Sequence, residues 1–174
     1  MSRYGKIKET GSISFERLLP GKPQEIWQYL TKSEKRGEWL ASGEMELKKG
    51  GKAKLHFRHD QLVEVDEPVP EKFREFEKGQ TMETEILEIK VPELLSFTWE
   101  GGSRVTFNLK RKEDNVLLLL EHDGIAGSID NFVSIAAGWH THLEILEDKL
   151  FGEIPPGFWS LYSKYEAEYQ ERLQ

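Results

Sequence analysis

The chain has 174 residues, a length that argues for one domain with at most a small appendage. It contains no cysteine, which excludes a disulfide scaffold, a thiolate metal site and a cysteine nucleophile. Asp and Glu number 31 against 24 Lys and Arg, and this formal charge of −7 disfavours long-range attraction to nucleic acid or an anionic membrane, while 9 Phe, 5 Tyr and 5 Trp supply an aromatic mass that a disordered chain lacks.

The first residues carry basic side chains with no apolar core behind them, so no secretory signal is read there. No stretch approaches the ~20 apolar residues that cross a bilayer. A soluble, cytoplasmic protein without membrane insertion is expected, with residues 1–10 as a flexible N-terminus. From Gly11 onward, Ile13, Phe15 and Arg17 alternate with Ser12, Ser14 and Glu16, which is the period of a strand. That strand stops at Pro20-Gly21, and Pro23 then suits the first turn of a helix with Ile26, Trp27 and Leu30 on its apolar face. Thr31 and Glu34 have capping-box spacing for a second short helix ending around Trp39-Leu40.

Residues 52–59 alternate cleanly, with Ala53, Leu55, Phe57 and His59 on one face and Lys52, Lys54, His56 and Arg58 on the other. The connection 60–81 is long, and its 70–76 stretch reads as a short helix carrying Phe73 and Phe76. A strand near 82–91 follows. Then 94–100 groups Leu95, Phe97 and Trp99, the pair Gly101-Gly102 signals a hairpin, and 103–110 groups Val105, Phe107 and Leu109. After a turn at 113–115, Val116, Leu118, Leu120 and His122 share a face.

The stretch from Ser128 to Leu150 changes period. Ile129, Ala136, Leu143 and Leu150 recur every seven residues, with Phe132, Trp139 and Leu146 between them, which predicts a helix of about six turns capped by Ser128. Phe158, Tyr162, Tyr165, Tyr169 and Leu173 then mark a second amphipathic helix, too short for a core of its own and expected to dock on the body. The fold class is therefore α+β. A curved antiparallel sheet of six to seven strands wraps around the long C-terminal-half helix, with two short helices after the first strand and an extra helix at the C-terminus. A strongly twisted sheet curls, and a rod laid across its concave side leaves either a cavity or a filled core.

This order of elements resembles the helix-grip fold of the SRPBCC superfamily (START, Bet v 1 and relatives). Within it the chain looks like the branch named for the C-terminal domain of the activator of the heat-shock protein 90 ATPase. The stretches that carry the resemblance are Phe15-Glu16-Arg17 through Pro23 and Ile26-Trp27 to Leu30, then Glu38-Trp39-Leu40, Leu95-Ser96-Phe97-Thr98-Trp99, Glu121-His122-Asp123-Gly124, and Gly138-Trp139 with Leu143, Leu146 and Leu150. It covers about 12–152 and implies a helix-grip domain over 11–152, with 153–174 as a docked extension. It also implies a small hydrophobic ligand (a lipid, polyketide or aromatic metabolite) held between sheet and helix by a carrier or sensor. Phe57, Phe97, Trp99, Phe107, Leu118, Trp139 and Leu143 would then line the ligand space.

Two other functions stand beside that one. The branch name implies a chaperone-interaction module with a partner of the heat-shock protein 90 class. A cyclase, dehydratase or hydrolase acting in the same cavity would need a polar group aimed at substrate, and His59, His122 and Arg17 are the candidates. Each has a structural alternative. The two histidines either orient a ligand or act as acid/base, or they are hydrogen-bonded or solvated residues at strand ends. Arg17 either clamps a ligand carboxylate or pairs with a neighbouring acid. No metal or cofactor is expected. His140 and His142 lie two residues apart on a helix, hence on nearly opposite sides, and Gly124-Ile125-Ala126-Gly127 lacks the Lys and Ser/Thr of a phosphate loop.

Overall fold

The computed structural model describes residues 2–9 and 11–173. Its strands are β1 (Lys6–Glu9), β2 (Ser12–Pro20), β3 (Lys52–Phe57), β4 (Gln80–Lys90), β5 (Leu94–Thr98), β6 (Arg104–Lys112) and β7 (Asn115–Asp123). They form one sheet in the order β1-β2-β7-β6-β5-β4-β3, every neighbouring pair antiparallel. Two short helices, α1 (Pro23–Thr31) and α2 (Ser33–Arg36), make the corner after β2, and α3 (Ile129–Leu150) and α4 (Phe158–Arg172) close the chain. This is the helix-grip arrangement, α3 being the rod held by a curved seven-stranded sheet.

The strand alternation sets the inner face. Register pairs Phe15 with Leu120 and Arg17 with Leu118, and it pairs Leu120 in turn with Phe107 and Phe107 with Leu95. Phe15, Leu120, Phe107 and Leu95 form one row across β2, β7, β6 and β5, with Arg17 and Leu118 in the next, and all are buried. Trp139 of α3 meets Phe107 edge-on with ring centroids 6.1 Å apart, and Trp39 from the helical corner meets it at 6.2 Å.

The corner after β2 is held by a buried cation. Arg36 donates to the carbonyls of Ala41 (3.0 Å), Leu30 (3.3 Å), Thr31 (3.1 Å) and Gly43. It thereby takes up carbonyls that the end of α1 leaves unpaired. Burial draws its guanidinium down to about 10, and Glu44 opposes that shift. Thr31 does not act as a cap for α2. It is the last residue of α1, and its hydroxyl donates to the Trp27 carbonyl at 2.9 Å.

Three further expectations are revised. Residues 6–9 are not a frayed terminus: they pair with β2, the Gly5 N–H donates to the Tyr169 hydroxyl at 2.8 Å, and Tyr4 donates to Glu168 at 2.5 Å. Met1 and Thr10, part of that expected terminus, lie outside the described residues. The 70–76 stretch forms a 3-10 segment, Glu71–Phe76, rather than an α-helix. The link from β5 to β6 is a 3-10 turn, Glu100–Gly102, in which Gly101 (φ 70°) and Gly102 (φ 77°) take the left-handed conformation that favours glycine.

The long helix carries more than one buried face. Val133, Ala137, His140, Thr141 and Ile145 are buried alongside Ala136, Trp139, Leu143 and Leu146. The sheet covers one side and α4 the other, so a helix read as a single stripe is enclosed over most of its circumference. The Ser128 cap forms as expected, its hydroxyl accepting the Asn131 N–H at 3.3 Å.

Candidate functional site

The grip closes at its centre and opens at one end. Phe97, Phe107, Leu118 and Leu143 are at most 2 % exposed and pack into the closed centre, so none of the four borders the open space expected of them. They sit on middle strands and mid-helix, where sheet and rod are closest and side chains fill the gap. The open end is a cleft of about 380 Å³ with a deeper recess of about 110 Å³. The sheet side supplies Phe57, Met82 and Trp99, and α3 supplies Asn131, Ser134, Ile135, Gly138 and His142. Phe158, Trp159 and Tyr162 of α4 and Phe73 and Phe76 of the long connection complete the wall. Of the expected site residues, Phe57, Trp99 and His59 line the cleft, and Trp139 borders its recess.

Gly138 explains why the end stays open. A methyl group added at its Cα would meet nothing within 4 Å, and the residue faces both the cleft and its recess. Glycine in a helix interior costs about 1 kcal/mol relative to alanine. Here its missing side chain becomes free volume rather than a close helix–sheet contact.

The roof is positioned by the long connection. The Glu67 carboxylate accepts the backbone N–H groups of Trp159 (3.0 Å) and Ser160 (3.3 Å) and the Ser160 hydroxyl, and so caps α4 at its positive end. Gly157 leaves room for it, since a Cβ there would press on that carboxylate and displace it. Phe73 stacks on Trp159 with centroids 5.2 Å apart, and Lys72 pairs with Glu166. Phe158, the first residue of α4, lies flat on His59 with centroids 4.1 Å apart and planes 9° from parallel.

The three polar candidates separate. His59 reaches the cleft. His122 does not: it is wholly buried, its Nδ1 accepts the Trp139 indole N–H at 3.0 Å, and its Nε2 lies 2.8 Å from the Ser103 hydroxyl. An indole nitrogen only donates, so His122 carries its proton on Nε2 and donates to Ser103, which donates on to the Glu100 carbonyl at 2.8 Å. The relay is complete within the chain and fixes the indole of Trp139. Arg17 also lies away from the cleft. Its Nε is 2.5 Å from Glu147, which Arg3 holds from the other side at 3.0 Å. The neighbouring-acid alternative for Arg17 is the one realised.

His142 is the site residue that strand and helix periodicity did not single out. The pair His140 and His142 does diverge as helical geometry requires. His140 stacks on Tyr165 at 3.7 Å and bonds the Tyr169 hydroxyl, while His142 borders the cleft, 5.5 Å from His59 between ring centroids. A signal was present in the sequence. Asn131, Ser134, Gly138 and His142 are spaced by three, four and four, a small and polar line along an otherwise apolar helix. Both cleft histidines are held neutral. Burial, with the nearby His142, lowers His59 to about 3, and burial lowers His142 to about 4 against its bond to the Trp39 carbonyl. No group of three or more potential metal ligands occurs among the described residues.

A second groove, of about 340 Å³, lies beside the start of α3 and is lined by Ile7, Ile125, Ile129 and Phe132 without a titratable side chain. The cleft under α4 is the better candidate, because it joins aromatic walls to polar groups that can orient a ligand. Among the described residues, no helix is long and apolar enough to cross a membrane.

Fold and cleft together define a helix-grip protein of the SRPBCC superfamily, a fold that commonly binds hydrophobic molecules. Residues 21–150 match the family described as Activator of Hsp90 ATPase homolog 1-like protein, and the chain belongs to that family. Among solved structures it is similar to the protein encoded by gene BPP1335 from Bordetella parapertussis, at 34% identity and a TM-score of 0.82, covering 98% of this chain and 91% of that one. It shares its fold with CalU16 from Micromonospora echinospora (19% identity, TM-score 0.66, 97% and 93% covered). The same holds for EF2215, a conserved protein of unknown function from Enterococcus faecalis (22% identity, TM-score 0.68, 95% and 86% covered). No curated protein matches the chain.

Proposed function

We propose that this protein binds one small, flat, hydrophobic molecule in the cleft beneath α4, as a carrier or sensor. The observation that carries this reading is the unfilled space at Gly138, walled by Phe57, Trp99, Phe158 and Trp159 while the centre of the grip is packed. Aromatic walls favour a flat ligand, since ring faces stack on it and gain about 0.5–1.5 kcal/mol per pair beyond the area they bury. The test is a nuclear magnetic resonance titration with lipids, polyketides and aromatic metabolites, on the native chain and on Gly138→Leu. Ligand-dependent shifts at Phe57, Trp99 and Ile135 that vanish in Gly138→Leu support the reading. Shifts confined to the outer surface in the native chain overturn it.

The family description favours a second reading, a module that contacts a chaperone of the heat-shock protein 90 class. A pull-down combined with a chaperone ATPase assay tests it, and unchanged turnover without capture removes it. For an enzymatic reading in the same cleft, His59 is the one group of the original three at hand, with His142 beside it.

A further inference from the structure

Several polar groups around the cleft are answered from within the chain. Gln80 donates to Glu100 at 3.1 Å, the Asn131 amide donates to the Ala126 carbonyl at 2.7 Å, and Ser134 shares a hydrogen bond with the Tyr162 hydroxyl at 2.7 Å. His142 differs. Its Nδ1 lies 2.7 Å from the Trp39 carbonyl, and a carbonyl only accepts, so Nδ1 bears the proton. Trp39 is itself immobilised, fully buried with its indole N–H on the Tyr29 carbonyl at 2.8 Å. The His142 ring therefore has a set orientation and tautomer. Its Nε2 is a bare acceptor with no partner among the described residues, on a ring that borders both the cleft and its recess.

From this we infer that the ligand is an aromatic alcohol of the phenol type, whose hydroxyl donates to Nε2 of His142 while its ring lies between the aromatic walls. This rests on the ligand-binding reading above and names the class of molecule for that same cleft. His59 completes the match. Neither of its ring nitrogens is engaged by the described residues, and its ring stands 5.5 Å from that of His142, so its N–H can return a hydrogen bond to the same hydroxyl oxygen. A hydroxyl both donates and accepts, as this pair requires. An ether or a hydrocarbon cannot donate to Nε2 and leaves that acceptor unmet in the complex.

The experiment compares 2-naphthol with 2-methoxynaphthalene, in which a methyl group replaces the one donated proton, by calorimetry and by imidazole 15N spectra. The native protein is expected to bind the naphthol at least about fivefold more tightly. The His142 Nε2 resonance is expected to move with the naphthol and not with the ether. In His142→Phe the preference disappears while the ether still binds. Equal affinity of the native protein for both compounds, or a preference that survives in His142→Phe, overturns the inference and leaves the ligand-binding reading standing. Binding of neither compound, nor of any compound in the wider panel above, overturns both. The native-protein comparison and the 15N spectra decide the question even where His142→Phe does not fold.

Discussion

Two adjoining sides of α3's buried surface are built from the same kinds of residue and end in opposite states. On the sheet side of Trp139, histidine, serine and indole bond one another in an unbroken relay, and Phe97, Phe107 and Leu118 are fully packed. On the adjoining side, Gly138, the residue before Trp139, supplies no side chain, Phe57 and Trp99 stay partly exposed, and His142 keeps a ring nitrogen free. Aromatic content does not distinguish a packed core from a binding cleft. What distinguishes them is whether each polar atom has an internal partner and whether opposing side chains meet.

That contrast can be broken most sharply by truncation. Phe107→Ala should cost about 3–5 kcal/mol in a urea melt, because it opens a void in a closed region. Phe57→Ala at the cleft should cost well under half as much, because space already lies beside it. Equal losses would mean that the two regions are packed alike.

Acid should act next, on both regions and on His140 beneath α4. His59, His122, His140 and His142 have folded-state values lowered to about 3–4, burial being the largest cause each time. The unfolded chain takes up these protons near pH 6.5 and the folded chain does not, so stability is complete above that pH and falls as pH drops from about 6.5 toward 4. The loss, on the order of 1 kcal/mol per histidine per pH unit, is read from denaturant midpoints across that range. A flat profile would show that the four rings are open to solvent.

His122→Ala should cost about 1–3 kcal/mol by leaving the Trp139 indole unanswered, and it should change tryptophan fluorescence. Glu67→Ala should cost about 1 kcal/mol by uncapping α4, with faster hydrogen exchange confined to its first turn. Unaltered exchange at residues 159–162 would separate the long connection from the roof of the cleft. Smallest is Gly138→Ala, expected to stabilise by up to about 1 kcal/mol while narrowing the cleft. A loss of stability there would mean that Gly138 serves close packing after all.

The strands, the helical corner and both C-terminal helices were legible because their signals are local. Alternation over residues 12–17 or 103–110 tells which side chains share a face, and spacings of three and four do the same for α3 and α4. Strand faces also placed Arg17 and His122 inward, correctly, yet gave no sign that Glu147 and Trp139 would answer them. Sharing a face is a property of the backbone period. Having a partner is a property of another segment's position.

Composition and periodicity were thus enough for a curved antiparallel sheet gripping a long helix, since each depends on neighbours a few residues apart. The location of the open space was settled only when distant segments met. His142 takes its orientation from a carbonyl 103 residues earlier in the chain, and Glu67 seats a helix that begins some 90 residues later. Free volume belongs to no single element. It is what remains where several elements fail to touch, so only their mutual placement could reveal it.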